Sequence, residues 1–354
     1  MRLLLVNWAP LWRGAEAGGG VNVHVRALAH ELARRGHRVS AVNAGYSYDL
    51  TGFPRLRRPV RDGAVDCHEI VNSPVIAPGY FNLARPDLDV RAPGVEARFA
   101  KLLRRLRPEV VHFHNIEGFS GHCITLARES GARVVYSLHN YHPLCSQINL
   151  LYQNRTPCTD YRNGQRCLDC QPPPPPRWRQ RLRRRALFYL RGLPGAGRWR
   201  GRIRRLAVQG PAARGAPASL HADDFRHRRE QLVACLNRAD LLLAVSNWVR
   251  EVYVRQGVDP ARVRVNTIGS PSADWPRLPD PPRAAGTPLR LVFLGMAEPH
   301  KGLPLLLDAL AGMTDAELAA IDLALYARGV PALSERLGAL RPRLAGLNPQ
   351  DGYR

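Results

Sequence analysis

A chain of 354 residues with 45% hydrophobic content has the length of two domains and enough apolar sequence to build cores, which excludes a disordered tail. The 52 basic against 29 acidic residues leave a net charge of +23, and only Lys101 and Lys301 are lysines. Sixteen arginines between positions 177 and 230 stand against only Asp223, Asp224 and Glu230, so much of the excess is local and suited to an anionic surface.

The opening apolar run, residues 3–6, is too short for a signal peptide, and no later segment reaches the roughly 18 apolar residues of a membrane span. These features place the chain in the cytosol, where seven cysteines are more readily thiols or metal ligands than disulfides.

Residues 3–7 read as a strand leading into Gly18, Gly19 and Gly20, followed by a helix over 21–35. Gly36 ends that helix and 39–43 is the next strand, completing a β-loop-α-β unit. Residues 98–107 read as a helix stopped by Pro108, and 110–114 as a buried strand. A helix over 123–129 and a strand over 133–138 follow, ending at His139. This alternation predicts a doubly wound α/β sheet, whose ligands sit at the carboxyl ends of the strands. Gly18 to Gly20, residues 112–115 and His139 fall on that edge. His112 and His114 flank Phe113, and the favoured reading for them is packing and strand-end hydrogen bonding; His114 is also kept as a candidate substrate contact.

Residues 140–230 interrupt the pattern and read as an insertion. They hold Cys145, Cys158, Cys167 and Cys170, the prolines 172–176 and the arginine block. The four cysteines supply enough soft ligands for one structural zinc, the last two at an ordinary structural-zinc spacing; the other reading is a loop of free thiols. Residues 177–190 mix arginines with aromatics and leucines in a helical run, which suits docking on an anionic bilayer, arginines in the headgroups and rings at the interface. A solvated basic helix is the plainer reading. Nucleic acid is not an expected partner, because no nucleic-acid fold signature accompanies the charge.

Regular order returns with a helix over 230–237, a strand over 239–246, a helix over 248–256 and a strand over 262–268. Residues 231–270 therefore complete an N-terminal domain begun by 1–139, and 271–288 is a proline-rich linker. Residues 289–354 open a second domain. There, 289–295 reads as a buried parallel strand ending at Gly295, with Lys301 and Gly302 at the entrance of a helix over 303–310. A glycine at a strand end lets a ligand approach the backbone, and a lysine at a helix N-terminus adds charge where phosphates bind.

Taken in order, the glycine run with its helix, residues 35–39, 110–114, 136–139, 239–246 and 293–302 resemble a GT-B glycosyltransferase of the large retaining family 4. The resemblance implies two Rossmann-like domains facing across a cleft. It also implies retaining transfer of a sugar from UDP or GDP to a glycan or lipid-linked acceptor, as in cell-envelope or exopolysaccharide synthesis, with no cofactor required for catalysis. On this resemblance His139 orients the reacting sugar, Lys301 stabilises the departing diphosphate, and Gly18, Gly19, Gly20, His114, Gly295 and Gly302 approach the donor. A peripheral position at the inner face of the plasma membrane suits such an enzyme. Two departures stand out. Met296 occupies the family's usual arginine position, and the chain ends at Gly352, Tyr353 and Arg354, before the family's acidic pair. The expected second domain is therefore incomplete, and the alternative is an inactive homologue that binds a sugar or lipid partner.

Overall fold

The computed structural model describes residues 1–170, 177–189, 220–269, 286–328 and 333–351, with the single positions 276 and 284. The prolines 172–176, the arginine block from 190 to 219, most of the linker 271–288 and Gly352, Tyr353 and Arg354 lie outside the described residues. The described residues fall into two compact units.

The first unit runs β1 (Arg2–Val6), α1 (Ala15–Arg34), β2 (Arg38–Ala44), β3 (Arg55–Leu56), β4 (Val60–Asp62), β5 (Val65–Val71), α2 (Asp87–Val90), α3 (Pro93–Leu106), β6 (Val110–Phe113), α4 (His122–Glu129) and β7 (Arg133–Leu138). A less regular stretch holds β8 (Leu151–Tyr152), β9 (Thr156–Pro157), α5 (Gln165–Asp169) and α6 (Arg177–Tyr189). It closes with α7 (Ala222–Leu236), β10 (Leu241–Ala244), α8 (Asn247–Arg255) and β11 (Val263–Val265).

The main sheet has the order β11-β10-β7-β6-β1-β2-β5-β3, with β4 also paired to β5. Its members are parallel except β3 and β4, which run antiparallel to β5. Because both faces are covered, β1 is buried at four successive positions. Leu3 and Leu5 share a core with Val25 and Ala29 of α1, whereas Leu4 and Val6 share one with Phe99 and Leu102 of α3. The strand order reverses between β1 and β6, so the crevice at a topological switch point opens at Asn7 and His114.

Two elements escaped the sequence reading because buried polar side chains hid their pattern. In β5, His68 and Glu69 are buried; His68 Nδ1 meets Arg105, and Glu69 accepts from Asn43 and Arg57. The helix expected at 230–237 begins at Ala222, since Arg228 and Arg229 occupy buried positions of α7. Arg228 Nε donates to Asp89 at 2.7 Å, and Arg229 Nε to the Leu144 carbonyl at 2.8 Å.

The second unit contains β12 (Leu289–Met296), α9 (Leu303–Ala311), α10 (Asp315–Leu318), β13 (Ile321–Arg328), α11 (Ser334–Leu340) and β14 (Gly346–Asp351). Its parallel sheet has the order β12-β13-β14. Leu303, Leu307 and Leu310 of α9 pack with Leu323 and Leu325 of β13. The expectation of a fully buried strand at 289–295 is corrected here. As an edge strand, β12 alternates, with Leu291 and Phe293 against the core while Val292 and Leu294 are 64% and 71% exposed. Among the described residues no helix is long and apolar enough to cross a membrane.

Candidate active site

The three expected glycines have distinct physical roles. They lie inside α1 rather than before it, and the helix is interrupted at Gly19, whose φ of 61° and ψ of −151° are essentially glycine-only. Gly18 is packed so closely that an added Cβ would stand 2.6 Å from the Ala9 Cβ and 2.7 Å from that of Asn22. Gly19 and Gly20 are exposed, and an added Cβ on either would meet nothing within 4 Å, leaving their backbone open to a ligand.

A chain of asparagines fixes this segment to the strand ends. Asn22, fully buried, donates to the carbonyls of Pro10 at 3.0 Å and Gly14 at 2.7 Å. Its Oδ1 accepts from Asn7 Nδ2 at 2.8 Å, and Asn7 Oδ1 in turn accepts from Asn115 Nδ2 at 2.8 Å. The carboxyl ends of β1 and β6 and the start of α1 are thereby held in one register. Asn115 Oδ1 is buried with no hydrogen-bond partner among the described residues.

Beside these amides, the structure gathers four histidines. His114 Nδ1 lies 3.0 Å from His139 Nε2, and His112 Nε2 lies 2.8 Å from Ser137 Oγ. The rings of His114 and His139 stack at 5.3 Å, and His24 of α1 stands edge-on to both, at 6.0 and 5.6 Å. Ligand-capable nitrogens of His24, His114 and His139 all lie within 4.8 Å of one another, a spacing also compatible with a metal ion.

Burial disfavours the imidazolium throughout. His139 is pushed down to about 4 by burial and then by His24, and His112 to about 3 by burial and then by His139 and His24. His114 lies well below its ordinary value, chiefly through burial and then through His112, His139 and His24. At neutral pH these rings are uncharged, each with one donor and one acceptor nitrogen. His114 Nε2 and His139 Nδ1 are buried without a partner among the described residues, so the cluster keeps unused hydrogen-bonding capacity for a polar ligand.

His114, read from the sequence as a packed strand-end residue and candidate substrate contact, and His139, expected to face the reacting sugar, stand together as one pair. The sequence reading missed His24, Asn7 and Asn22, and it placed Asn115 on the ligand edge without giving it a role. His24 stands one helical turn beyond Gly20, and that i, i+4 spacing was the available signal.

In the second unit the expected strand, turn and helix are present. Gly295 lies in β12 opposite Ala327. Lys301 ends a short 3-10 turn, Pro299–Lys301, and its N–H donates to the Glu298 carbonyl at 2.9 Å. Gly302 caps α9 with a left-handed φ of 86°, which lets the chain turn directly into the helix. Lys301 is exposed beside His300, whose Nδ1 lies 3.4 Å from a Glu298 carboxylate oxygen.

Helix α6 divides its residues differently from the expected arginine-out arrangement. Arg177 and Arg184 donate to the carbonyls of Pro74, Gly45 and Ala77, and Gln180 is buried. Arg184 also lies over the rings of Tyr46 and Phe81. Carbonyls of the loops after β2 and β5 hold these guanidinium groups inward, because a buried cation needs acceptors. Trp178, Leu182 and Tyr189 are turned to solvent. Elsewhere in this unit, a cavity of about 240 Å³ is lined by Tyr141, Leu150, Leu151, Trp248, Val252 and Arg255, among others.

A doubly wound sheet with a polar switch point, joined in the same chain to a second parallel α/β unit, has the make-up of the GT-B fold. The model of the family described as Glycosyltransferase Family 4 matches residues 18–193. The chain belongs to this family and is a retaining glycosyltransferase. Its fold is similar to that of sucrose-phosphate synthase from Thermosynechococcus elongatus, with a TM-score of 0.53 at 14% identity over 100% of this chain and 71% of that one. It is likewise similar to an α,α-trehalose-phosphate synthase (UDP-forming) from Burkholderia xenovorans, solved with glucose-6-phosphate, with a TM-score of 0.52 at 14% identity over 100% of this chain and 75% of the other. Comparison with curated protein sequences gives no match.

Proposed function

We propose that the protein moves a sugar from a UDP- or GDP-sugar to a glycan or lipid-linked acceptor at the inner face of the plasma membrane, as a step in envelope or exopolysaccharide assembly. The observation that carries this reading is the uncharged His114–His139 pair, His114 buried and His139 half-buried, beside the bared backbone of Gly19 and Gly20 at the switch point. Neutral imidazoles exchange hydrogen bonds with sugar hydroxyls without competing for the charge of a diphosphate. His139, with a free Nδ1, orients the reacting sugar; His114 fixes its ring and tautomer.

As the bond to the sugar breaks, the leaving diphosphate gains charge, so positive groups aimed at it stabilise the transition state more than the ground state. Lys301 and the amino end of α9 are assigned that role, with Gly295 and Gly302 allowing close approach. No divalent metal is assigned a part in the transfer. The sucrose- and trehalose-phosphate synthases lend support through the shared fold and, for the second, through its UDP-forming reaction. Membrane attachment is assigned to the exposed Trp178, Leu182 and Tyr189, with neighbouring arginines meeting anionic headgroups.

The test is release of UDP or GDP from nucleotide sugars by the purified chain in the presence of a membrane-derived acceptor extract. His139→Ala is expected to lower kcat, and Lys301→Ala to lower kcat/KM, each by on the order of a hundredfold. Unchanged turnover in the His139 variant would remove that residue from the mechanism. No binding of any nucleotide sugar would instead leave a sugar- or lipid-binding protein.

A further inference from the structure

Residues 141–153 and 157–170 of the first unit need something to hold them that their regular structure does not supply. Their strands are two residues long, and only Leu144 and Cys170 in the segment are buried apolar side chains. Ile148, Leu150, Gln153, Arg162 and Asn163 nevertheless adopt left-handed backbone, with φ of 77° at Ile148. A β-branched residue in that region is a steric outlier that persists only where its surroundings fix it. Segments with so little core are commonly secured by a covalent or metal cross-link.

Three cysteines tie back to the same turn. The N–H of Cys145 donates to Tyr141 at 2.7 Å, and its carbonyl accepts from Ile148 at 2.9 Å. The N–H of Cys158 donates to Leu150 at 2.7 Å. Cys170 Sγ accepts the N–H of Gln153 at 3.3 Å, an N–H to sulfur contact that strengthens when the sulfur is a thiolate. Cys167 sits on α5 close before Cys170. Cys145, Cys158 and Cys170 thus all meet the turn formed by residues 141–153, and Cys170 caps the helix that carries Cys167.

Arg229 supplies an independent sign. It is buried, donates to the Leu144 carbonyl and to Gln256 Oε1, and lies 3.5 Å over the Tyr161 ring. Among the described residues it has no carboxylate partner, which is unusual for a buried cation. The groups able to become anions beside it are Cys167, Tyr161, Cys145 and Cys158.

We propose that Cys145, Cys158, Cys167 and Cys170 bind a single zinc ion in a closed tetrahedral thiolate site whose net negative charge is matched by Arg229. Four thiols lose their protons to solvent and four sulfur–zinc bonds of about 2.3 Å form, leaving a centre of net charge −2. As thiols, no three of the sulfurs lie within 4.8 Å of one another, so the ion must draw them together. With every position filled by protein, the ion acts as a staple and not in the chemistry. The inference is independent of the transferase reading.

The experiment is metal analysis of the unaltered, gel-filtered protein, with thiol counting before and after denaturation in chelator. Roughly one zinc per chain is expected, with four thiols that become reactive only when the metal is removed. Cobalt substitution is expected to give the intense thiolate-to-metal absorption of a tetrahedral sulfur site. Serine at any of the four positions should abolish stoichiometric zinc, Cys235→Ser should retain it, and Arg229→Gln should weaken it by about tenfold. The unaltered protein decides the matter even if a variant fails to fold. Substoichiometric metal with all four thiols freely reactive, or recovery of the four as disulfides, would overturn the proposal.

Discussion

Acidification from pH 7.5 to 5 should strip stability from the first unit through its buried histidines. In the unfolded chain each histidine takes up a proton near 6.5. In the fold His112 resists until about 3 and His139 until about 4, and His114 is depressed in the same direction, in each case first because burial penalises the cation. The contribution is therefore intact above pH 6.5 and is lost as pH falls from there toward the folded values. His112 and His139 each forfeit about 1.4 kcal/mol per pH unit, hence about 2 kcal/mol at pH 5. His112 and His139 together give on the order of 4 kcal/mol before their coupling is counted, a large share of the stability of a typical domain, and His114 acts in the same direction. His68, pushed down to about 4 by burial and Arg105, adds in the same sense. Denaturant titrations at pH 7.5, 6 and 5 should show a falling midpoint, and His112→Gln should flatten the dependence by about 2 kcal/mol. NMR of the imidazoles provides the direct check. Titration of His112, His114 and His139 near 6.5 in the folded protein would refute the reasoning.

Other sites give equally definite expectations. Arg228→Met should destabilise by about 3–5 kcal/mol, because Asp89, 1% exposed, loses its buried cation; a denaturation shift below about 1 kcal/mol would contradict this. Pairing it with Asp89→Asn should recover part of the loss, which a double-mutant cycle would measure. Gly19→Ala should cost about 1–3 kcal/mol of thermal stability through backbone strain, while the open space around it predicts no packing clash. Trp178→Asp combined with Leu182→Asp should abolish sedimentation with anionic vesicles and leave secondary structure intact; undiminished sedimentation would place the membrane contact elsewhere.

The strands that build the sheet were legible because a parallel strand covered on both faces must be a short apolar run. Residues 133–138 are such a strand, and it is observed as Arg133–Leu138. The β-loop-α-β opening, the strand–turn–helix at Lys301 and the placing of His139 on the ligand edge followed from glycine positions and alternation alone. Where local pattern was overridden, a buried polar partner was the cause: Arg228 on Asp89 concealed the start of α7, and Glu69 with Arg57 concealed β5.

What the sequence by itself determined was the doubly wound class and the edge on which a site must lie, since apolar periodicity and glycine turns are local properties. Only the tertiary structure decided which residues share that edge. Asn7, Asn22 and Asn115 join across 15 and 108 positions of chain, and His114 meets His139 across 25. The inward turn of the α6 arginines is of the same kind, being set by carbonyls more than a hundred positions away. Hydrogen bonds over such separations leave no periodic trace, because they are fixed by how the strands and helices pack and not by the spacing of residues within any one of them.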